Sequence, residues 1–176
     1  MRSVPLLLIV LSVSFPSLAA EQHKREKVLL ASDKKTEITI PSTWEEMELN
    51  EAAEIQVGNE KESCFIIVLN EAKEDLYGWN IEKHSRVTLG SLLSSVSLPT
   101  VVGPKSLTIN GSPAVQYEVR GAAENRNVIY LHTTVEGPIF FSQILAWTVP
   151  SQAEVAKSKL MKAIASFKES KPPRSK

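Results

Sequence analysis

The stretch Ser106-Leu-Thr-Ile-Asn-Gly-Ser-Pro-Ala-Val-Gln-Tyr-Glu-Val-Arg120 decides the fold, and its pivot is Asn110-Gly111. A type I′ hairpin turn needs two consecutive positive-φ residues, which Asn-Gly supplies, and β-formers flank it on both sides. Beyond the turn, Val115, Tyr117 and Val119 share one parity while Gln116, Glu118 and Arg120 share the other. That period of two is the mark of a strand with distinct faces. Two more β-rich runs follow at hairpin distance, near Arg126–Val135 and Ile139–Thr148. The C-terminal half therefore reads as an antiparallel meander. Pro150-Ser-Gln-Ala-Glu154 reads as a capping-box start for a closing helix, whose buried stripe is Ala153, Ala156, Leu160, Ile164 and Phe167.

Upstream, Ser63-Cys-Phe-Ile-Ile-Val-Leu69 is apolar on both parities, which predicts a central strand covered on both faces. Val28–Ala31 and Glu37–Ile40 predict two short strands joined by Ser32–Lys35, with Pro41 ending the second. Glu45–Glu54 is acidic and has no clear periodicity, and a short strand follows near Ile55–Val57. Asn70–Lys83 reads as a polar connection. From Thr88 the apolar residues Leu89, Leu92, Leu93 and Val96 follow helical spacing until Pro99. The expected fold class is α+β: a central antiparallel sheet of six to eight strands with helices on both faces, in one domain.

The chain ends set the boundaries. Arg2, the apolar run Leu6–Val13 and the small residues Ser17-Leu-Ala19 read as a secretory signal peptide over residues 1–19, cleaved near Ala19 or Ala20. Residues 20–27 form a charged lead-in, 28–170 the domain and 171–176 a disordered tail; Lys168 onward, with Pro172-Pro173, reads as solvated. No later stretch is long and apolar enough to span a membrane. One cysteine, Cys64, provides no disulfide framework, which fits a bacterial periplasm or exterior better than a small eukaryotic secreted domain. Twenty basic and twenty acidic residues balance, so no nucleic-acid partner is expected.

Four local signatures resemble the PsbP-like fold family, in particular its secreted bacterial DcrB-like group. They are Ile38-Thr-Ile-Pro-Ser-Thr-Trp44, Asn110-Gly-Ser-Pro-Ala114, Gln116-Tyr-Glu-Val-Arg-Gly121 and Gln143-Ile-Leu-Ala-Trp147. The resemblance covers roughly Val28 to Ser170 and implies an α/β/α sandwich that docks on other proteins without catalysis. Members of that family include an extrinsic photosystem II subunit and a nuclear protein that binds a small GTPase. The resemblance supplies no functional residues to carry over.

Chemistry-bearing patterns are sparse. Gly-x-Ser-x-Gly, Walker and dinucleotide cradles are missing, and the three histidines, His23, His84 and His132, have no metal-site spacing. Cys64 lies in an apolar strand, where free cysteine acts as a small hydrophobe. Trp147 is expected in the core and Trp44 over a sheet edge. Tyr77 and Trp79 stand in the polar connection with no periodicity to bury them; they are the candidate partner-binding residues, the alternative being that they clamp the loop to their own domain. A metal site is the alternative use of this region. Glu71, Glu74 and Asp75 would share one face if Glu71–Leu76 were helical, with His84 or Glu82 closing it.

The expectation is a secreted or periplasmic protein-binding or accessory domain that is not an enzyme and needs no cofactor. Its partner is another envelope or secreted protein. The alternative is a carrier of a small apolar ligand or metal ion. A deep pocket lined by Tyr130, His132 and Phe140 would favour the carrier, and a closed sheet–helix interface with Trp79 on the surface would favour the docking domain.

Overall fold

A computed structural model of the chain describes residues 26–170. The expected signal peptide, most of the lead-in with His23, and the tail after residue 170 lie outside the described residues. The strands are β1 (Glu26–Leu30), β2 (Thr36–Pro41), β3 (Glu45–Glu46), β4 (Ile55–Asn59), β5 (Cys64–Ala72), β6 (Ser97–Ile109), β7 (Ser112–Ala123), β8 (Arg126–Glu136), β9 (Phe140–Thr148) and β10 (Lys168–Glu169). Two helices join them, α1 (Ile81–Ser94) and α2 (Ala153–Ser166). The architecture is α+β. Seven strands form one antiparallel sheet in the order β3-β4-β5-β9-β8-β7-β6, and β1-β2-β10 form a separate small sheet.

The meander forms as its sequence dictates. Asn110 and Gly111 adopt φ of 47° and 87°, and Ile109 pairs with Ser112 across them. The Asn110 amide also donates to the carbonyls of Ala165 (3.2 Å) and Phe167 (2.7 Å), so the hairpin tip holds the end of α2. Alternate residues then enter different clusters. Ala114, Leu131, Val135, Ile144 and Ala146 pack with Ala156, Leu160 and Ile164 of α2 and with Ile38 and Ile40 of the small sheet. Val115, Tyr117, Val119 and Phe141 pack with Ile81, Leu89 and Leu92 of α1.

Several elements differ from the sequence expectation. Helix α1 begins at Ile81, seven residues before Thr88, because Asn80 caps it by accepting from the Lys83 N–H at 2.9 Å. After Ile81 the buried positions of its first two turns are His84, Ser85 and Thr88, polar residues that conceal the stripe. β6 starts at Ser97 and contains Pro99, which the sequence placed as a helix stop. No capping box forms at Ser151: Pro150 opens a 3₁₀ turn, the Gln152 N–H bonds back to Val149, and α2 starts after it without a side-chain cap.

Lys168 and Glu169 pair with β2 rather than lying solvated, and the Glu169 carboxylate accepts from the Ile139 and Phe140 N–H groups at 2.6 and 3.2 Å. Coverage of β5 is uneven: Cys64, Ile66 and Val68 are fully buried, whereas Phe65 and Leu69 are only half-buried. Trp147 is half-buried rather than core, stacked on Phe65 at 5.4 Å, while Trp44 is fully buried with its indole N–H donating to Glu62 at 3.0 Å.

Asn110→Gly keeps the turn's backbone freedom but removes both donations to the end of α2. Each such bond contributes on the order of 1 kcal/mol, so the loss of stability is expected to be about 1–3 kcal/mol, read by denaturant unfolding. A change below a few tenths of a kcal/mol would show that the hairpin tip does not hold α2.

Candidate functional site

The candidate site is the connection between β5 and α1. Where β5 ends at Ala72, the chain turns through a 3₁₀ segment, Lys73–Asp75, and passes Leu76-Tyr-Gly-Trp79 before the Asn80 cap. The segment is tied down at both ends. The Lys73 N–H donates to Ile139 at 2.9 Å and its ammonium to Glu136 at 2.8 Å. The Trp79 N–H donates to Leu76 at 3.0 Å, and Gly78 takes the left-handed φ of 75° that the tight reversal needs.

These constraints give the two aromatic residues different positions. Trp79 is half-buried against the α1 cluster, edge-on to His84 at 6.1 Å between centroids, with the Lys83 ammonium 4.6 Å above its ring. Tyr77 is 98% exposed. Trp79 therefore clamps the loop to its own domain, and Tyr77 presents a whole phenol ring to solvent on a fixed backbone.

The acidic residues do not assemble as a helical face would place them. Glu71 is still in strand β5, whereas Glu74 and Asp75 lie on the 3₁₀ turn. Only Glu71 approaches His84, at 3.7 Å, with its side chain 46% exposed. Among the described residues no three His, Cys, Asp or Glu side chains are placed to hold a metal ion. His84 lies inside α1, fully buried and stacked on Phe141 at 5.0 Å. Neither of its ring nitrogens has a hydrogen-bond partner, and burial holds its pKa below the usual value against the opposing pull of Glu71.

His132 lies beneath the same helix. The Thr88 hydroxyl donates to the His84 carbonyl at 3.0 Å, leaving its oxygen to accept from His132 Nε2 at 3.0 Å. Burial pushes the His132 pKa down to about 4, so the ring is neutral at pH 7. Cys64 is fully buried, and burial with the neighbouring Glu62 pushes its thiol up to about 11, which suppresses the nucleophilic thiolate at neutral pH.

Two concavities lie away from Tyr130, His132 and Phe140. One of about 740 Å³ is walled by Glu45, Glu46, Glu48, Glu60 and Glu62 beside β3 and β4. Another, of about 410 Å³, runs between β2 and α2 along Ile40, Pro41 and Ala163. Sequence reasoning also missed a half-buried aromatic stack, Phe65–Trp147–Tyr130, because each member sits in a strand that otherwise reads as core. The cross-strand register, Phe65 opposite Trp147 opposite Tyr130, is the signal that could have found it.

No protein-family model and no curated protein sequence matches the chain. Solved structures do. The solution structure of cyanobacterial PsbP from Synechocystis sp. PCC 6803 superposes with a TM-score of 0.62 at 11% identity, over 82% of this chain and 92% of that one. LpqN of Mycobacterium tuberculosis, involved in cell envelope biogenesis, gives 0.59 at 12% identity over 89% and 98%. The Ran-binding protein Mog1p of Saccharomyces cerevisiae gives 0.57 at 9% identity over 82% and 95%. The chain thus has the PsbP-like fold. At such identities the likeness carries fold alone, because one scaffold hosts unrelated functions.

The two buried histidines make stability depend on pH. As pH falls through 6.5 the unfolded chain takes up protons that the folded protein refuses, His132 until about 4. Their contribution is therefore present above pH 6.5 and lost as pH falls towards 4; for His132 alone it is roughly 3 kcal/mol. Denaturant unfolding at a series of pH values above the carboxylate range is expected to show this slope, and His132→Gln to reduce it. An unchanged slope in that variant would contradict the assignment.

Proposed function

We propose that this protein is a secreted or periplasmic docking domain that binds another envelope or secreted protein through the Tyr77 loop and performs no catalysis of its own. The observation that carries this reading is the 98% exposure of Tyr77 on a loop pinned by Lys73, Gly78 and Trp79. A large aromatic ring held open to water on an ordered backbone is the usual anchor of a protein interface: it contributes much contact area and loses little freedom on binding. The fold is compatible with such a role, since Mog1p binds Ran and LpqN is involved in cell envelope biogenesis.

The suppressed thiolate of Cys64 and the buried, neutral His132 support the absence of chemistry at those residues. Export rests on the signal-like residues 1–19, and the four sequence signatures support placing the chain with the DcrB-like branch. We further read the large sheet as an α/β/α sandwich, supported by the two clusters of opposite strand parity, one against each helix.

A second reading has one observation behind it. The 410 Å³ groove between β2 and α2 has apolar walls and Lys159 and Lys162 at its rim, dimensions that suit a small apolar ligand with an acidic head. Both lysines already pair with Glu62 and Glu26, which ranks it behind the docking reading.

Affinity capture from the native envelope fraction separates the two. A specific partner is expected with the wild type, and Tyr77→Ala is expected to reduce its recovery at least tenfold, the equivalent of about 1.4 kcal/mol, with no change in thermal unfolding. Equal recovery by Tyr77→Ala would remove the loop from the interface. A co-purifying apolar ligand displaced by Ala163→Trp would favour the carrier.

A further inference from the structure

The tip of the Tyr77 loop is attached to the domain by side chains rather than by its backbone. The Leu76 and Trp79 N–H groups bond only within the turn, to the carbonyls of Lys73 and Leu76. A Cβ at Gly78 would meet nothing within 4 Å, so the backbone between Lys73 and the Asn80 cap has room to move. The Leu76 and Trp79 side chains hold it down, Trp79 edge-on against His84. His84 is fully buried between Trp79 and Phe141, and neither of its ring nitrogens has a hydrogen-bond partner, whereas His132 is bonded to Thr88. A buried polar group left in that state is costly and calls for a reason.

We propose that His84 is an acid-sensitive catch: the neutral imidazole seats Trp79, and its protonation lifts Trp79 and frees the Tyr77 loop from α1. The consequence for binding, release of a partner in acid, rests on the docking reading above. The chemistry of the ring sets the direction. Neutral imidazole carries one N–H, but imidazolium carries two, and both need acceptors. Glu71 of β5, 3.7 Å from Nε2, can accept from one nitrogen, and Nδ1 is still left without an acceptor. Phe141 behind the ring is fully buried, so the half-buried Trp79 is the group that gives way to water.

The other titratable groups around the ring supply no second acceptor. The Lys73 ammonium, paired with Glu136, lies 5.1 Å from the Phe141 ring, and the Lys83 ammonium lies 4.6 Å from the Trp79 ring. Beneath α1, β7 presents Tyr117 and β8 presents Tyr130 and His132, with Arg126 and Glu136 at the two ends of that strand. β6 and β9 present no titratable side chain to this face. In the closed loop, burial lowers the His84 pKa against the pull of Glu71, while a ring opened to water titrates near the ordinary 6.5. The closed form is therefore favoured above pH 6.5, and the open form gains as pH falls below it. Between pH 7.5 and 5.5 the gain is up to about tenfold.

Amide hydrogen exchange of the full chain, corrected for the intrinsic effect of pH on exchange, reads this opening at the Trp79 N–H. Its protection is expected to fall several-fold, towards that tenfold limit, between pH 7.5 and 5.5. His84→Phe keeps a ring beneath Trp79 without a titrating nitrogen and is expected to make the protection independent of pH. His84→Gln, which does not titrate either, is expected to abolish the response too, whereas His132→Gln is expected to retain it. Equal protection of wild-type Trp79 at the two pH values overturns the proposal, as does an undiminished response in His84→Phe or His84→Gln. The measurement needs no partner, so a failed capture through Tyr77 leaves the catch standing, and a failed catch leaves the docking loop standing.

Discussion

The structure depends on β9 and the alternation of its side chains. It lies between β5 and β8 and joins the meander to the strands from the first half of the chain. Ile144 and Ala146 enter the cluster beneath α2, while Phe141 enters the one beneath α1. Slipping its register by one residue would exchange these sets and leave both clusters unfilled, so the alternation fixes the register on both flanks. Phe141 then supports His84 by stacking, and His84 supports Trp79. The loop that presents Tyr77 is thus built, through two contacts, on one strand of the core.

The polar groups beneath α1 follow the same logic. Burying two imidazoles is expensive unless they stay neutral, and both are held below their ordinary titration range by burial. The Thr88 hydroxyl satisfies one ring nitrogen of His132 and the His84 carbonyl together. Replacing this arrangement with leucines would give a drier interface. It would also remove the ring against which Trp79 rests, so a change at His84 is felt in the loop above it.

Much of this architecture could be read from the sequence. Asn110-Gly111 located the first hairpin because only a few residue types accept two positive φ values in succession, and strict parity in β7 identified its two sides. The separation of β1, β2 and β10 into their own sheet could not be read, since local pattern does not state which strands pair. Helix α1 was recognised only from Thr88 because, after Ile81, its earlier buried positions are His84 and Ser85, polar residues that an apolar periodicity skips. The first half of β6 escaped because Pro99, Gly103 and a left-handed Leu98 break every strand template. Of the site, the exposed position of Tyr77 was legible from its polar, aperiodic surroundings. The different role of Trp79 was not, because it depends on a helix turn that the sequence concealed.

The central claim, that the Tyr77 loop is a docking surface, is tested most directly by a photoreactive phenylalanine analogue placed at position 77 in the native cell. The account predicts a discrete covalent adduct with another protein, and none from the same analogue at Val155, an exposed position on α2. No adduct at position 77, or the same adducts from both positions, would contradict it.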